Sequence, residues 1–131
     1  MALIRIRDAR VLLKTGWNAS GAYYVAGYAV ECGLKACLAK QTKSGDWPPK
    51  PEKVRGYYSH NLEDLVKLAG LQSAFETAMK TDPILTGYWG IVKDWSEQSR
   101  YETYTQSDAL ALFDAITNNP HGVFAWIQQH W

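Results

Sequence analysis

Cysteine is scarce in this chain of 131 residues: Cys32 and Cys37 are the only two. Five residues apart in one helical stretch, they are separated by a rise of about 7.5 Å, too far for a disulfide. They read as small apolar groups in a reducing, cytoplasmic compartment. No histidine pair stands near them, so the sequence offers no zinc site, and it carries no cofactor motif. Long apolar runs are also missing. None approaches the roughly 18–20 residues that span a bilayer, so no membrane partner is expected. The opening MALIRIRDARVLL mixes basic and apolar residues and reads as a first helix rather than a leader. A large charge of one sign is absent too. The net charge is +1, too small for a strong nucleic-acid footprint. No segment alternates for long in the manner of a strand.

What is present suits an all-α domain spanning residues 1–131. Apolar residues make up 47% of the chain, enough for a core. Ile6, Ala9, Val11, Leu12 and Leu13 give the first helix. Asn18 is placed to cap a second from Ala19 to about Lys40. Along that helix Ala22, Ala26, Ala29, Gly33 and Ala36 form a small-residue stripe where a neighbour can approach closely. Pro48, Pro49 and Pro51, with Gly45 and Gly56, mark about 42–58 as a loop, long enough to be functional or mobile. Ser59-His60-Asn61 opens a third helix with Leu62, Leu65, Val66 and Ala69 inward. A short helix follows over Leu71–Lys80. Asp82-Pro83 starts another, running through Trp89, Val92 and Trp95. Thr105 and Asp108 have capping-box spacing, ahead of another buried face marked by Leu110, Phe113 and Ile116. Asn119-Pro120 breaks the chain before a last helix with Phe124, Ile127 and Trp131. Short connections favour antiparallel neighbours, hence an up-and-down bundle of four to five main helices.

The small net charge hides an asymmetry. Through Arg55 there are ten basic and four acidic residues; after it, four and nine. Arg5, Arg7, Arg10 and Lys14, with Lys50, Lys53 and Arg55, are positioned to build a basic patch. Solvated charges that merely fall this way are the plainer account. Six tryptophans and eight tyrosines exceed what a small core needs. Tyr57, Tyr58, Tyr101 and Tyr104 suit either base stacking or, preferably, a protein interface.

The residues that could carry chemistry centre on the second helix. Tyr24, Tyr28, Glu31 and Lys35 share one face at helical spacing. Glu31 lies in an apolar context, and an ionised carboxylate buried there needs a partner. Lys35 is one turn away. Arg100 is expected to be the better partner, since guanidinium grips carboxylate through two parallel bonds. His60 and Tyr101 are expected close by.

The segment Ala22-Tyr23-Tyr24-Val25-Ala26-Gly27-Tyr28-Ala29-Val30-Glu31-Cys32-Gly33-Leu34-Lys35-Ala36 resembles the second helix of HEPN (higher eukaryotes and prokaryotes nucleotide-binding) domains. His60-Asn61-Leu62 followed by Leu65 is similar to the His-Asp-Leu helix start of one branch of that family. Trp95 through Arg100-Tyr101 resembles its Trp…Arg-Tyr element, and Phe124-Ala125-Trp126-Ile127 suits its closing helix. The resemblance runs from Ala9 to the end. It implies a HEPN-like bundle of four or five helices, usually assembled as a homodimer. It also implies one of three roles. The first is a noncatalytic module binding a nucleotide-like ligand or a partner protein through Tyr24, Tyr28, Glu31, Lys35, His60, Arg100 and Tyr101. The second is a metal-independent endoribonuclease, a toxin paired with a small nucleotidyltransferase, acting on RNA. The third is a dimerisation domain with a structural polar network. The family's ribonucleases use Arg followed by His after four to six residues, a spacing that Arg55 and His60 match. His60 would then serve as acid or base on a ribose hydroxyl and Arg55 would stabilise phosphate charge. No histidine follows Arg100 at that spacing, which favours the noncatalytic role.

Overall fold

A computed structural model describes residues 1–42 and 48–131. Among the described residues the chain is all-helical, with eight α-helices and no strand. They are α1 (Ala2–Thr15), α2 (Ala19–Lys40), α3 (Pro51–Tyr58), α4 (Leu62–Leu68), α5 (Gln72–Thr81), α6 (Pro83–Val92), α7 (Gln106–Thr117) and α8 (Val123–Gln128); a 3₁₀ turn covers Glu97–Tyr101. Five of them reach ten residues or more. Among the described residues no helix is long and apolar enough to cross a membrane.

The helices form a bundle around α2, which touches α1, α3, α4, α7, α8 and the 3₁₀ turn. A helix approached from so many sides must be thin. Ala22, Ala26 and Ala29 are almost wholly buried, and Gly33 faces Ile127 and Phe124 of α8. The expected stripe ends one turn early, because Ala36 is exposed and Leu34, Cys37 and Leu38 carry the buried face onward. The tightest approach is at Gly27. A Cβ built there would lie 2.2–2.3 Å from the Trp95 indole, itself 2% exposed. Cys37 is buried and Cys32 half-buried, both free thiols.

Capping residues set the helix starts. Asn18 accepts from the Gly21 amide, Asn61 from Asp64, and Thr105 and Asp108 form a reciprocal capping box. Asp82 accepts from the Ile84 and Leu85 amides, with Pro83 in the first turn where its missing N–H costs nothing. The other oxygen of Asp82 lies 2.8 Å from His121 Nδ1, tying the start of α6 to the turn before α8. Gly16 closes α1 at φ 68°, a left-handed conformation that glycine adopts without a Cβ penalty.

Several expectations need correction. The 42–58 segment is not a loop throughout: Pro51–Tyr58 is α3. Pro51 sits at the first helical position, with Glu52 in the first turn and Arg55 in the last, so the proline starts the helix instead of breaking it. The part of that segment at 43–47 lies outside the described residues. The helix expected to run through Trp95 ends at Val92, and Trp95 follows it in the core. Leu110, expected on a buried face, is 49% exposed, and Ala109 is buried on that helix instead; Val11, within the apolar pattern of the first helix, is 61% exposed.

Two consequences can be measured. Gly27→Ala must displace a rigid indole, so it should destabilise the fold by about 1–3 kcal/mol in urea unfolding. A neutral effect would show that the α2–Trp95 contact is looser than this. The hydrogen bond from His121 and, less, the two capping amides hold the Asp82 carboxyl below its usual range. Its contribution is therefore full above the ordinary carboxylate pKa of about 3.9 and is lost as pH falls through the lower folded value. Stability measured between pH 5 and pH 2 should fall less steeply in Asp82→Ala than in the parent. Parallel curves would remove Asp82 from the acid response.

Candidate functional site

The long central helix α2 carries one buried charge. Glu31 is 2% exposed on α2, and its side chain reaches the surface only through its partners. Lys35 Nζ donates to Glu31 Oε1 at 2.8 Å, and His60 Nδ1 stands 3.0 Å from the same oxygen. Lys35 comes from the next turn of α2, where i and i+4 side chains meet. His60 comes from the stretch before α4, held by the Asn61 cap and by Ser59 Oγ, which accepts from the Asn61 amide at 3.2 Å.

A carboxylate only accepts, so His60 donates from Nδ1; Nε2 is then an acceptor in the neutral tautomer and a second donor in the protonated ring. The two partners differ from Glu31 in exposure: side chains are 25% exposed for Lys35 and 46% for His60. A buried anion thus orients two groups that still face solvent. Glu31 Oε2 is buried and has no hydrogen-bond partner among the described residues, and the same holds for Trp95 Nε1.

The aromatic half of the face is ordered by stacking. Tyr24 lies parallel to Tyr28, with centroids 6.1 Å apart, and meets Trp95 at 6.0 Å. The neighbouring Cys32 thiol and, next, burial push the Tyr28 phenol up, so Tyr28 is a neutral phenol at physiological pH. Tyr24, Tyr28, Glu31 and Lys35 therefore share one surface of α2, and His60 joins them from outside the helix.

Arg100 does not pair with Glu31 as expected. It is exposed, and its guanidinium lies over the Tyr101 ring at 5.0 Å, with Tyr101 itself largely in solvent. The physical reason is local. Arg100 sits in a short 3₁₀ turn whose buried residue is Ser99, while Trp95, just ahead of that turn, fills the space against α2. Lys35 and His60 take the carboxylate.

Arg55 and His60 are not joined by a hydrogen bond among the described residues. Arg55 is exposed in the last turn of α3 and lines a surface hollow with Glu52, Ser59, Asp64 and Lys67. His60 is not part of that hollow's lining. Of the four tyrosines considered for stacking, Tyr57 bonds Thr42 Oγ1 at 2.7 Å and Tyr104 stacks on Tyr23 at 3.7 Å. Tyr58 and Tyr101 remain largely exposed. Burial and, after it, the neighbouring Tyr104 raise the Tyr23 phenol to about 12.

Sequence reasoning missed two partnerships. Gly27 with Trp95 could have been suspected from a glycine within an alanine-rich helix, but nothing in the sequence names the indole. Asp82 with His121 spans 39 positions and leaves no local signal.

Comparison of the chain with models of known families, with curated proteins and with solved structures finds no match.

The geometry makes Lys35, not Arg100, the cation whose loss is felt. Lys35→Met strands part of a buried carboxylate and should cost about 1–3 kcal/mol in urea unfolding. Arg100→Gln should stay within about 0.5 kcal/mol. A double-mutant cycle with Glu31→Gln and Lys35→Met should be nonadditive. Additive effects would mean that the two side chains do not act on each other in solution.

Proposed function

We propose that this chain is a noncatalytic HEPN-like module, an up-and-down bundle that binds a nucleotide-like ligand at the Glu31–Lys35–His60 surface of α2. The observation that carries the reading is the single oxygen of a buried carboxylate holding two donors whose remaining capacity faces solvent. Lys35 has further N–H donors to offer, and protonated His60 offers Nε2–H, a pairing suited to phosphate oxygens. Tyr24 and Tyr28 lie along the same face and offer rings for a base. The resemblance of the Ala22–Ala36 segment to the family's second helix supports the same assignment. It also brings a homodimer and a small nucleotidyltransferase as the expected protein partners.

A second reading keeps a specific observation in its favour. Glu31 fixes the His60 tautomer that leaves Nε2 as a proton acceptor, which is how a general base is prepared. In that reading the module is a metal-independent endoribonuclease with Arg55 as the phosphate group's partner. Arg55 would have to leave its own hollow to join His60. The noncatalytic reading requires no such rearrangement. A purely structural role in dimerisation would leave the exposed edges of Lys35 and His60 without use.

The experiment is a calorimetric titration with adenosine monophosphate alongside an RNA-cleavage assay in EDTA. Binding that is lost in Lys35→Ala and His60→Ala, with intact RNA throughout, is the expected result. Cleavage in EDTA that His60→Ala abolishes would replace this reading by the ribonuclease one. Neither binding nor cleavage would reject the ligand site and leave the structural role.

A further inference from the structure

The first helix is apolar on two sides. Ala2, Ile6, Ala9 and Leu13 pack into the bundle, as an amphipathic helix should. On the opposite side Ile4, Arg7, Val11 and Lys14 follow one another at i, i+3, i+7 and i+10, a single line along the outer crest. Ile4 is 51% exposed and Val11 61%, with Leu3 beside them at 49%. Trp17, just past the end of α1, is 93% exposed. Isolated exposed apolar residues need no explanation, but an aligned set ending in a bare tryptophan does.

The charges on this crest are as unspent as its apolar groups. Arg7 and Lys14 are exposed and form no hydrogen bond or ion pair among the described residues. Arg10, on the flank, lies over the Phe113 ring. The acid on this helix, Asp8, is already bonded by Arg5 at 2.9 Å. The face is therefore basic, and nothing among the described residues answers it.

We propose that the outer face of α1 is a docking surface for an anionic phospholipid bilayer, which the chain engages peripherally and without crossing. Apolar and basic groups alternate along one line, so the occupant must offer both phases at slightly different depths. A bilayer interface does this. Ile4, Val11 and Leu3 enter the acyl boundary, and the long stems of Arg7 and Lys14 carry their charges back to the phosphates. Trp17 belongs at the headgroup level, where an indole has an apolar body and a donor to satisfy. A second copy of α1 is disfavoured, because the seam would enclose Arg7 and Lys14 of both copies with no acidic partner on the crest. Nucleic acid would use Arg7 and Lys14 but leave the aliphatic side chains in water. The apolar area is small, so binding needs both contributions and is reversible. This surface is separate from the proposed ligand site, and neither proposal depends on the other.

The test uses the whole chain in flotation with vesicles of phosphatidylcholine alone and of phosphatidylcholine with about a third phosphatidylserine. Binding to the second and not the first, lost in high salt, is expected. Arg7→Glu with Lys14→Glu should weaken it about thirtyfold or more, since each basic group near an anionic surface is worth close to a factor of five. These positions are exposed, so the variant should keep its circular dichroism spectrum. Brominated lipid should quench the emission of the parent chain more than that of Trp17→Phe, a readout that holds even if the charge variant misfolds. No binding that depends on phosphatidylserine, or binding that survives the charge reversal in a folded variant, overturns the proposal. So does binding of single-stranded RNA that the same reversal abolishes while vesicles are ignored.

Discussion

Close approach to α2 is the constraint from which the rest of this fold follows. One 22-residue helix is touched on nearly every side, by other helices and by the 3₁₀ turn. Interaxial distances of 8–10 Å depend on the side chains at the contact, and small ones permit the shorter end. Ala22, Ala26, Gly27, Ala29 and Gly33 meet that requirement by giving up volume. The bulk returns from outside, as Trp95 against Gly27 and as Ile127 and Phe124 near Gly33. The central helix supplies the holes and its neighbours supply the knobs. The bulk that meets Gly27 and Gly33 therefore comes from segments far from α2 in sequence, while Val30, Leu34 and Leu38 of α2 supply large buried side chains of their own.

The same geometry explains the character of the site. A glutamate on the buried side of such a helix cannot reach solvent on its own, and leaving it ionised without partners is costly. Lys35 answers it from the same helix, and His60 from a short segment pinned by the Asn61 cap. The carboxylate thus acts as an internal counterion that orients two groups at the edge of the bundle. A structural network would be satisfied by burying all three. Here the anion is buried and its two partners stay partly open, and this difference favours a surface that meets a ligand. Any ligand that draws Lys35 or His60 away must compensate the charge left behind.

What the sequence revealed divides along the range of the interactions. Helix starts were legible because their causes lie within four residues: Asn18, Asn61, Asp82 and the Thr105–Asp108 box each act on amides a few positions ahead. The small-residue stripe of α2 was legible as a site of close packing. Pro51 was not legible, because a proline that breaks a helix and one that starts it at the first position look alike in sequence. The exposure of Leu110 and Val11 has a different reason. Periodicity shows that a helix has apolar residues, but where two of its faces carry them, only the neighbours decide which one is covered. The site shows the same limit. Glu31 demanded a partner on energetic grounds, and His60 was correctly placed near it. Among the cations, chemistry alone preferred Arg100, whereas Lys35 had only to lean along its own helix. Geometry decided against the stronger hydrogen-bonding group.

The charge asymmetry of the chain gains its meaning from the same comparison. Ten of its fourteen basic residues lie at or before Arg55. Two of them, Lys35 and Arg5, are neutralised locally by Glu31 and Asp8. Arg7 and Lys14 are left on the crest of α1 beside aliphatic groups that the bundle does not cover. A crest needed only for solubility would be expected to carry mixed charges and few apolar residues, since interspersed signs keep a surface soluble at no cost to the core. This one has apolar side chains where solubility asks for polar ones and a single sign where it asks for both. Each departure weakens the solubility account, and both are explained together by a partner that is anionic at its surface and apolar just beneath it.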